Sequence, residues 1–153
     1  MKAIVFTRYG SPDVLESREV EKPTPKDDEV LIRVRAASIN DWDWEALHGR
    51  PFVNRLIFGL RTPKKQILGS DIAGRVEAVG RNVLRFRPGD DVFGDLSGHW
   101  GGFAESVCAR ETALALKPSA MTFEQAAAIP QAAMLAMQGL RAMWGASNPD
   151  RSS

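Results

Sequence analysis

Short segments in which apolar and polar residues alternate, separated by glycine and proline, fill the chain before Lys117. The clearest is Glu29–Ile39 (EVLIRVRAASI), where apolar residues alternate with Arg33 and Arg35, as in a strand with one buried face. The segment 87–90 (RPGD) has proline second and glycine third, the pattern of a type II turn. Further strands are predicted over Ala3–Arg8, Val14–Val20, Ser70–Val79, Asp91–Leu96 and Gly102–Ala109. Short strands joined by such turns predict a mainly β fold, a small barrel or a sandwich.

The pattern changes after Lys117. Thr122 and Gln125 have the spacing of a capping box, which predicts that a helix begins at residue 123. Pro130 interrupts the helical stretch, so we expect two helices or one sharp kink. Apolar residues lie on almost every side of this stretch, a pattern that favours burial on all sides. The sequence thus predicts three segments, a β domain, a helical segment and a polar tail: 1–122, 123–144 and 145–153.

Charge and cysteine content exclude several classes of protein. Lys and Arg number 20 against 19 for Asp and Glu, and a net charge of +1 argues against a nucleic-acid partner. The N-terminus, MKAIVFTRYG, lacks the long apolar segment of a signal peptide or membrane span, so we expect a cytoplasmic protein without a membrane partner. Cys108 is the single cysteine, which excludes an internal disulfide and a multi-cysteine zinc site; we expect it to be a small buried residue.

Residues 67–80 (ILGSDIAGRVEAVG) have the strongest superficial similarity to a ligand-binding loop. Gly69 and Gly74 have the spacing of a phosphate-binding loop, but Arg75 and Val76 stand where that loop has lysine and a hydroxyl residue. A dinucleotide fingerprint, a nucleophile elbow and a set of His and Cys with metal-ligand spacing are all absent from the sequence. From chemistry alone, the chain offers no self-contained catalytic constellation.

A resemblance to a known family comes from several motifs taken in order: MKAIVFTRYGSPDVLESREVEKPTP, EVLIRVRAASIN, ILGSDIAGRVEAVG, RFRPGDDVFG, GGFAESV and AAAIPQAAMLAMQGL. Together they resemble the N-terminal half of the medium-chain dehydrogenase/reductase superfamily over about residues 1–143. The branch they resemble is that of the zinc-independent NADPH:quinone oxidoreductases and zeta-crystallin-like enzymes. The resemblance implies a GroES-like, partly open β-barrel, followed in the family by a Rossmann cofactor domain. It also implies that NADPH reduces a quinone, an enone or a related carbonyl.

The same resemblance implies a site without metal. Zinc-containing relatives have Gly-His-Glu where this chain has Gly69, Ser70 and Asp71, and their first zinc cysteine corresponds to Asn40. The four-cysteine lobe of those relatives is missing as well. In the quinone reductase branch an asparagine at the position of Asn40 lies near the nicotinamide and substrate, and Asp43 matches the acid that follows it. The resemblance therefore implies Asn40 and Asp43 as catalytic residues.

The implied cofactor contacts are Asn40, Asp71 and Met134. Leu135 stands where quinone reductases often have a threonine that contacts the cofactor, so that hydroxyl is missing. Two alternatives stay open: Asn40 simply caps a helix over residues 40–47, and Asp71 only ties down the barrel.

The implied substrate pocket is aromatic. Trp42 and Trp44 are its candidate residues, and Phe52 and Phe58 would add to an apolar lining. The branch commonly has a tyrosine at the position of Trp44. The alternative for both tryptophans is that they form wall rather than substrate contacts.

The chain ends where the family's cofactor domain is expected to begin, which leaves two functional hypotheses. In the first, the chain is the catalytic half of a reductase and is incomplete without that domain. In the second, it is a one-domain interaction module or a truncated gene product that self-associates through its apolar helix. A homo-oligomer is expected in either case.

Overall fold

The computed structural model of the chain describes residues 1–51, 55–56, 59–64 and 66–147. The described strands are β1 (Lys2–Val5), β2 (Glu16–Glu19), β3 (Glu29–Ala37), β4 (Asp71–Val79), β5 (Asp91–Asp95), β6 (Ser106–Arg110) and β7 (Leu114–Leu116). The described α-helices are α1 (Asp41–His48), α2 (Phe123–Ala127) and α3 (Pro130–Ser147).

Five of the strands form one antiparallel sheet in the order β6-β3-β4-β5-β7, whereas β1 and β2 pair with each other. The register of β3 against β4 shifts between Leu31 and Ile32 and again between Val34 and Ala36. Such bulges bend a sheet. In the described part of the chain, β6 and β7 end the sheet without pairing with each other. The mainly β, partly open architecture predicted from the sequence is thus confirmed.

One face of this sheet forms the main core. Ile32, Ile72 and Val92 come from three adjacent strands and are each 0% exposed. The residues packed with them are Val30, Val76, Phe86, Leu96, Val107, Ala109 and Leu114. Burying one such large side chain contributes about 1.5–3 kcal/mol. The core therefore fixes β3 and β4, and the polar residues of the candidate site lie where β3 ends and β4 begins.

Cys108 lies on β6 and is partly rather than fully buried. Desolvation still raises the pKa of its thiol to about 11. Because reactive cysteines have a lowered pKa, the raised pKa argues against a catalytic role for this thiol.

Helix α1 begins where the sequence predicts. Asn40 is its N-cap residue, and the carboxylate of Asp43 accepts a hydrogen bond from the backbone N–H of Asn40 at 2.9 Å. Gly49 ends the helix in the left-handed conformation, with φ of 60°. Ala46 and Leu47 are buried against Phe6 and Trp100, so α1 packs on a second, smaller core.

Helices α2 and α3 confirm the predicted capping box and the break at Pro130. The N–H of Gln125 donates to Thr122 Oγ1 at 3.2 Å, and the N–H of Thr122 donates to Gln125 Oε1 at 3.0 Å. Ala126 and Ala127 of α2 pack against Ala73 of the sheet. Helix α3 continues to Ser147, beyond the predicted end at residue 144. Residues 148–153 of the predicted polar tail lie outside the described part of the chain.

Most of the described surface of α3 faces solvent. Pro130 and Gln131 are buried, but the later large apolar side chains are each more than half exposed: Met134, Leu135, Met137, Leu140 and Met143. The sequence pattern favours burial of this helix on all sides. Among its described residues, the rest of the chain buries only those of the first turn. Among the described helices, none combines the length and apolar character that a membrane crossing requires.

Candidate functional site

Asn40 lies between the end of β3 and the start of α1, and its side chain turns toward β4. Asn40 Nδ2 donates to Ser70 Oγ at 3.1 Å and lies 3.5 Å from Ser38 Oγ. The contact joins residues 30 positions apart. Asn40 is half-buried, whereas Ser70 is 0% exposed. A partly accessible amide is therefore held in one orientation by a buried hydroxyl.

Asp43 stabilises this arrangement through hydrogen bonds to the backbone of Asn40 and Gly69. Its Oδ2 accepts the N–H of Asn40 and its Oδ1 accepts the N–H of Gly69, both at 2.9 Å. Burial raises the pKa of Asp43, the two backbone N–H groups oppose the rise, and nearby Asp95 adds to it. With the side chain 2% exposed, Asp43 joins the start of α1 to the segment before β4. Its predicted catalytic role stays a prediction.

Asp71 is the first residue of β4 and is 1% exposed. Its Oδ2 accepts a hydrogen bond from the backbone N–H of Gln131, at the start of α3, at 3.0 Å. Its Oδ1 is buried and accepts no hydrogen bond from the described residues. Burial raises the pKa of Asp71; the Gln131 N–H and the Asn40 amide oppose the rise, and Asp95 and Asp43 add to it.

The predicted cofactor and substrate residues are more exposed than this group. Met134 is 55% exposed, Trp42 52% and Trp44 54%. The ring of Trp44 lies against His48 with 4.2 Å between centroids, on the outer side of α1. The N–H of Trp44 donates to the backbone carbonyl of Asn40 at 3.3 Å, but the described hydrogen bonds of the Asn40 amide go to Ser70 and Ser38 and not to either tryptophan. Phe52 and Phe58 lie outside the described residues. Their substrate role stays a prediction.

Two members of the site were not predicted as site residues. In the sequence, Ser70 stands out only as the residue in place of a zinc histidine, and that position is the signal that identifies it. Gln131 contributes a backbone N–H, which no side-chain pattern reveals. The part of the chain with described positions contains no group of three His, Cys, Asp or Glu residues arranged to hold a metal ion.

Because the carboxyl group of Asp71 is buried and its pKa is raised, its contribution to the free energy of unfolding should fall as pH rises. An ion-paired carboxylate with a lowered pKa has the opposite dependence. Its folded pKa is raised above the ordinary 3.8, so the folded chain binds this proton more tightly than the unfolded chain. The stabilisation is complete below the unfolded pKa and is lost as pH rises through the folded pKa. Asp71→Asn removes the titration, so the wild type should lose stability relative to the variant as pH rises above the ordinary 3.8 and through the raised folded pKa.

Urea unfolding of both proteins across that range measures the difference. Asp91→Asn is the matched control on the neighbouring strand, because the Arg75 guanidinium lowers the pKa of Asp91 and the dependence should have the opposite sign. A gap between wild type and Asp71→Asn that is independent of pH would contradict the prediction.

Known proteins are similar to this chain in both sequence and fold. Residues 26–119 match the family model described as "Alcohol dehydrogenase GroES-like domain". The chain is 38% identical over 144 residues to a "Quinone-oxidoreductase homolog, chloroplastic" of Spinacia oleracea, covering 92% of this chain and 42% of that protein. It is 35% identical over 148 residues to an "NADPH-dependent alkenal/one oxidoreductase, chloroplastic" of Arabidopsis thaliana, covering 92% and 37%.

A solved structure gives the same result. The quinone oxidoreductase from Coxiella burnetii superimposes with a TM-score of 0.83 and 35% identity, over 92% of this chain and 44% of that one. The chain thus spans less than half the length of each of these three proteins.

Proposed function

Because the chain belongs to the alcohol dehydrogenase GroES-like domain family, we propose that it is part of an NADPH-dependent oxidoreductase that reduces a quinone, an enone or a related carbonyl without zinc. The membership confirms the resemblance to the N-terminal half of the medium-chain superfamily, and with it the GroES-like fold. The names of the spinach and Arabidopsis relatives support the substrate class and the cofactor. Both relatives are chloroplastic, and a cytoplasmic location for this chain stays a prediction.

The hydrogen bond between Asn40 and Ser70 is the observation that carries the proposal. These residues stand at the two positions where the resemblance places a zinc cysteine and a zinc histidine, and the fold brings them to 3.1 Å. An amide and a hydroxyl are not the ligands that zinc takes in proteins. The donor set therefore does not fit zinc, and the pair instead supports a hydrogen-bonding site.

NADPH, when bound, supplies a hydride to the substrate. Asn40 and Met134 would hold one side of the nicotinamide, which has an apolar face and a polar carboxamide. Asn40 offers a polar group whose orientation Ser70 and the Asp43-braced loop fix in advance. Met134 follows Gln131 by three residues, so both lie on one face of α3, and its exposed side chain offers an apolar wall. Both residues would bind and orient rather than exchange protons.

A domain exchange tests this function. Residues 1–143 replace the matching segment of the Coxiella burnetii quinone oxidoreductase, and NADPH oxidation is followed at the nicotinamide absorbance with a quinone and with an enone. We expect turnover by the hybrid, and a loss of about tenfold to hundredfold in kcat/KM for Asn40→Ala because the reacting groups lose their orientation. Asn82→Ala, at an exposed asparagine in the turn that follows the far end of β4, is the matched control.

The same hybrid tests zinc independence. Treatment with a zinc chelator should leave the rate unchanged, since no step depends on the metal. A hybrid that folds but does not oxidise NADPH would contradict the proposed function. Equal rates for Asn40→Ala and Asn82→Ala would remove Asn40 from the site, and a rate abolished by the chelator would overturn zinc independence.

The exposed side of α3 favours a second candidate, a module that associates with a second copy of itself. Five large apolar side chains on this helix are each more than half exposed, and Arg141 is the one charged residue of α3. Sedimentation velocity of the 153-residue chain should then show a dimer or larger species. Leu140→Lys should shift the population to monomer, whereas Leu84→Lys, at a leucine 89% exposed outside the helix, should not. A monomeric wild-type chain at all concentrations would rule out this candidate.

A further inference from the structure

The carboxyl group of Asp71 lies between the start of α3 and the loop that carries Asn40. Oδ2 accepts the Gln131 N–H at 3.0 Å. The backbone carbonyl of Asp71 accepts the N–H of Ser38 at 3.1 Å, and the preceding residue, Ser70, holds the Asn40 amide. A single strand end thus connects α3, the end of β3 and the N-cap of α1.

We infer that Asp71 is a positioning residue, which fixes the first turn of α3 relative to Asn40 through its hydrogen bond to Gln131; its part in the reaction rests on the function proposed above. The effect is to hold Met134, on the same face of α3 as Gln131, at a constant separation from Asn40. The two groups proposed to orient the cofactor would then be set by one buried carboxylate.

Burial separates this role from direct cofactor contact. Asp71 is 1% exposed, whereas Asn40 is half-buried and Met134 is 55% exposed. A side chain enclosed to this degree acts through the groups it touches. The sequence predicts that Asp71 contacts the cofactor directly. We infer instead that Asp71 fixes the positions of Asn40 and Met134.

The start of α3 gains from a carboxylate for a physical reason. The first N–H groups of a helix have no partner within the helix and carry partial positive charge, which a nearby anion stabilises. Here the anion comes from the sheet, 60 positions away in sequence, so the same contact that caps the helix also docks it. After the first turn, α3 is mostly exposed, and its attachment to the barrel depends strongly on these few residues.

Hydrogen exchange at the backbone amides of α3 tests the positioning role without any assay of activity. Asp71→Ala should exchange about tenfold faster over residues 131–136, because the acceptor for Gln131 N–H is lost. Asp71→Asn keeps an acceptor oxygen and should restore protection. Ser106→Ala, at another buried polar residue of the same sheet, should leave α3 unchanged. Equal exchange in Asp71→Ala and Ser106→Ala would overturn the proposal.

A measurement on the wild type decides the matter even where Asp71→Ala does not fold. The amide proton shift of Gln131 should follow the titration of the Asp71 carboxyl carbon in NMR spectra recorded against pH. Asp95 on β5 and Asp43 on α1 also face Asp71, so their carboxyl carbons are followed in the same spectra. A Gln131 shift that is constant, or that follows Asp95 or Asp43 instead, would overturn the assignment.

Titration of the hybrid enzyme with NADPH, with each Asp71 variant made in the hybrid, separates this inference from the proposed function. Shift changes at Asn40 and Met134 in the wild type and in Asp71→Asn, but not in Asp71→Ala, support both. Equal shift changes in all three overturn the link between Asp71 and the cofactor residues. If the wild type shows none, the proposed function loses support, and the exchange and titration results still decide whether Asp71 fixes α3.

Discussion

Replacement of Gly69 by alanine is expected to lower the free energy of unfolding by about 4 kcal/mol, the sum of a strained backbone and an overfilled contact. Gly69 has φ of +97°, which residues with a Cβ rarely adopt. An added Cβ would lie 2.6 Å from the backbone N of Phe103 and 2.8 Å from the backbone C of Gly102. Because those atoms are backbone, the clash requires the two segments to separate. Urea unfolding monitored by tryptophan fluorescence measures the loss.

Gly89→Ala is the matched control for this prediction. Gly89 has nearly the same backbone angle, φ of +96°, but an added Cβ meets nothing within 4 Å. It should lose about 1 kcal/mol, the conformational part alone. Equal losses at the two glycines would show that the approach of residues 69 and 102–103 does not limit stability.

Replacement of Asp43 by alanine is expected to cost about 3 kcal/mol, since two backbone N–H groups lose a charged acceptor inside the protein. Both the N–H of Asn40 and the N–H of Gly69 donate to this carboxylate at 2.9 Å, and the side chain is 2% exposed. The same change should loosen the Asn40 loop, so hydrogen exchange at residues 40 and 69 should rise with it. Thermal and urea unfolding measure the energetic part.

Asp41→Ala separates this bracing role from a general effect of charge on α1. Asp41 is exposed in the first turn of the same helix and should lose only about 0.5 kcal/mol, from its interaction with the helix dipole. A loss for Asp43→Ala that is no larger than that for Asp41→Ala would mean that water replaces the carboxylate at both N–H groups.

Local signals predicted those features that depend on neighbours in sequence. The N-cap at Asn40, the capping box of Thr122 with Gln125, and the break at Pro130 each follow from the chemistry of a few adjacent residues, and each is present in the fold. The alternation in Glu29–Ile39 likewise predicted β3, because one face of that strand is buried.

Features that depend on distant backbone were missed. The predicted strand Gly102–Ala109 begins instead at Ser106. The reason is that residues before Ser106 bond elsewhere: the N–H of Gly102 donates to Gly69 O, and the N–H of Phe103 donates to Leu68 O, both at 2.9 Å. No periodicity in the segment itself encodes those partners. The hydrogen bond from Gln131 to Asp71 was beyond sequence reasoning for the same reason.

In the candidate site, too, the sequence indicates individual residues, whereas the contacts between distant residues come only from the fold. Resemblance identified Asn40, Asp43 and Asp71 one by one, but the fold adds that Asn40 touches Ser70 and that Asp71 reaches α3. The two tryptophans illustrate the opposite limit. Their apolar character is compatible with a pocket or with an outer surface, and only the position of α1 on the second core decides which side Trp44 occupies.

Among the described side chains of α3, only those at its start are buried, so a small tilt at that point moves the far end of the helix most. Its 18 residues correspond to a length of about 27 Å. A tilt of about 10° at Pro130 would displace the far end by about 5 Å, but Met134, only about 6 Å from the pivot, would move by about 1 Å. Positional accuracy along this helix therefore falls with distance from the barrel. A residue that must meet a ligand to within an ångström belongs in the first turn or two, whereas the outer turns tolerate far larger excursions.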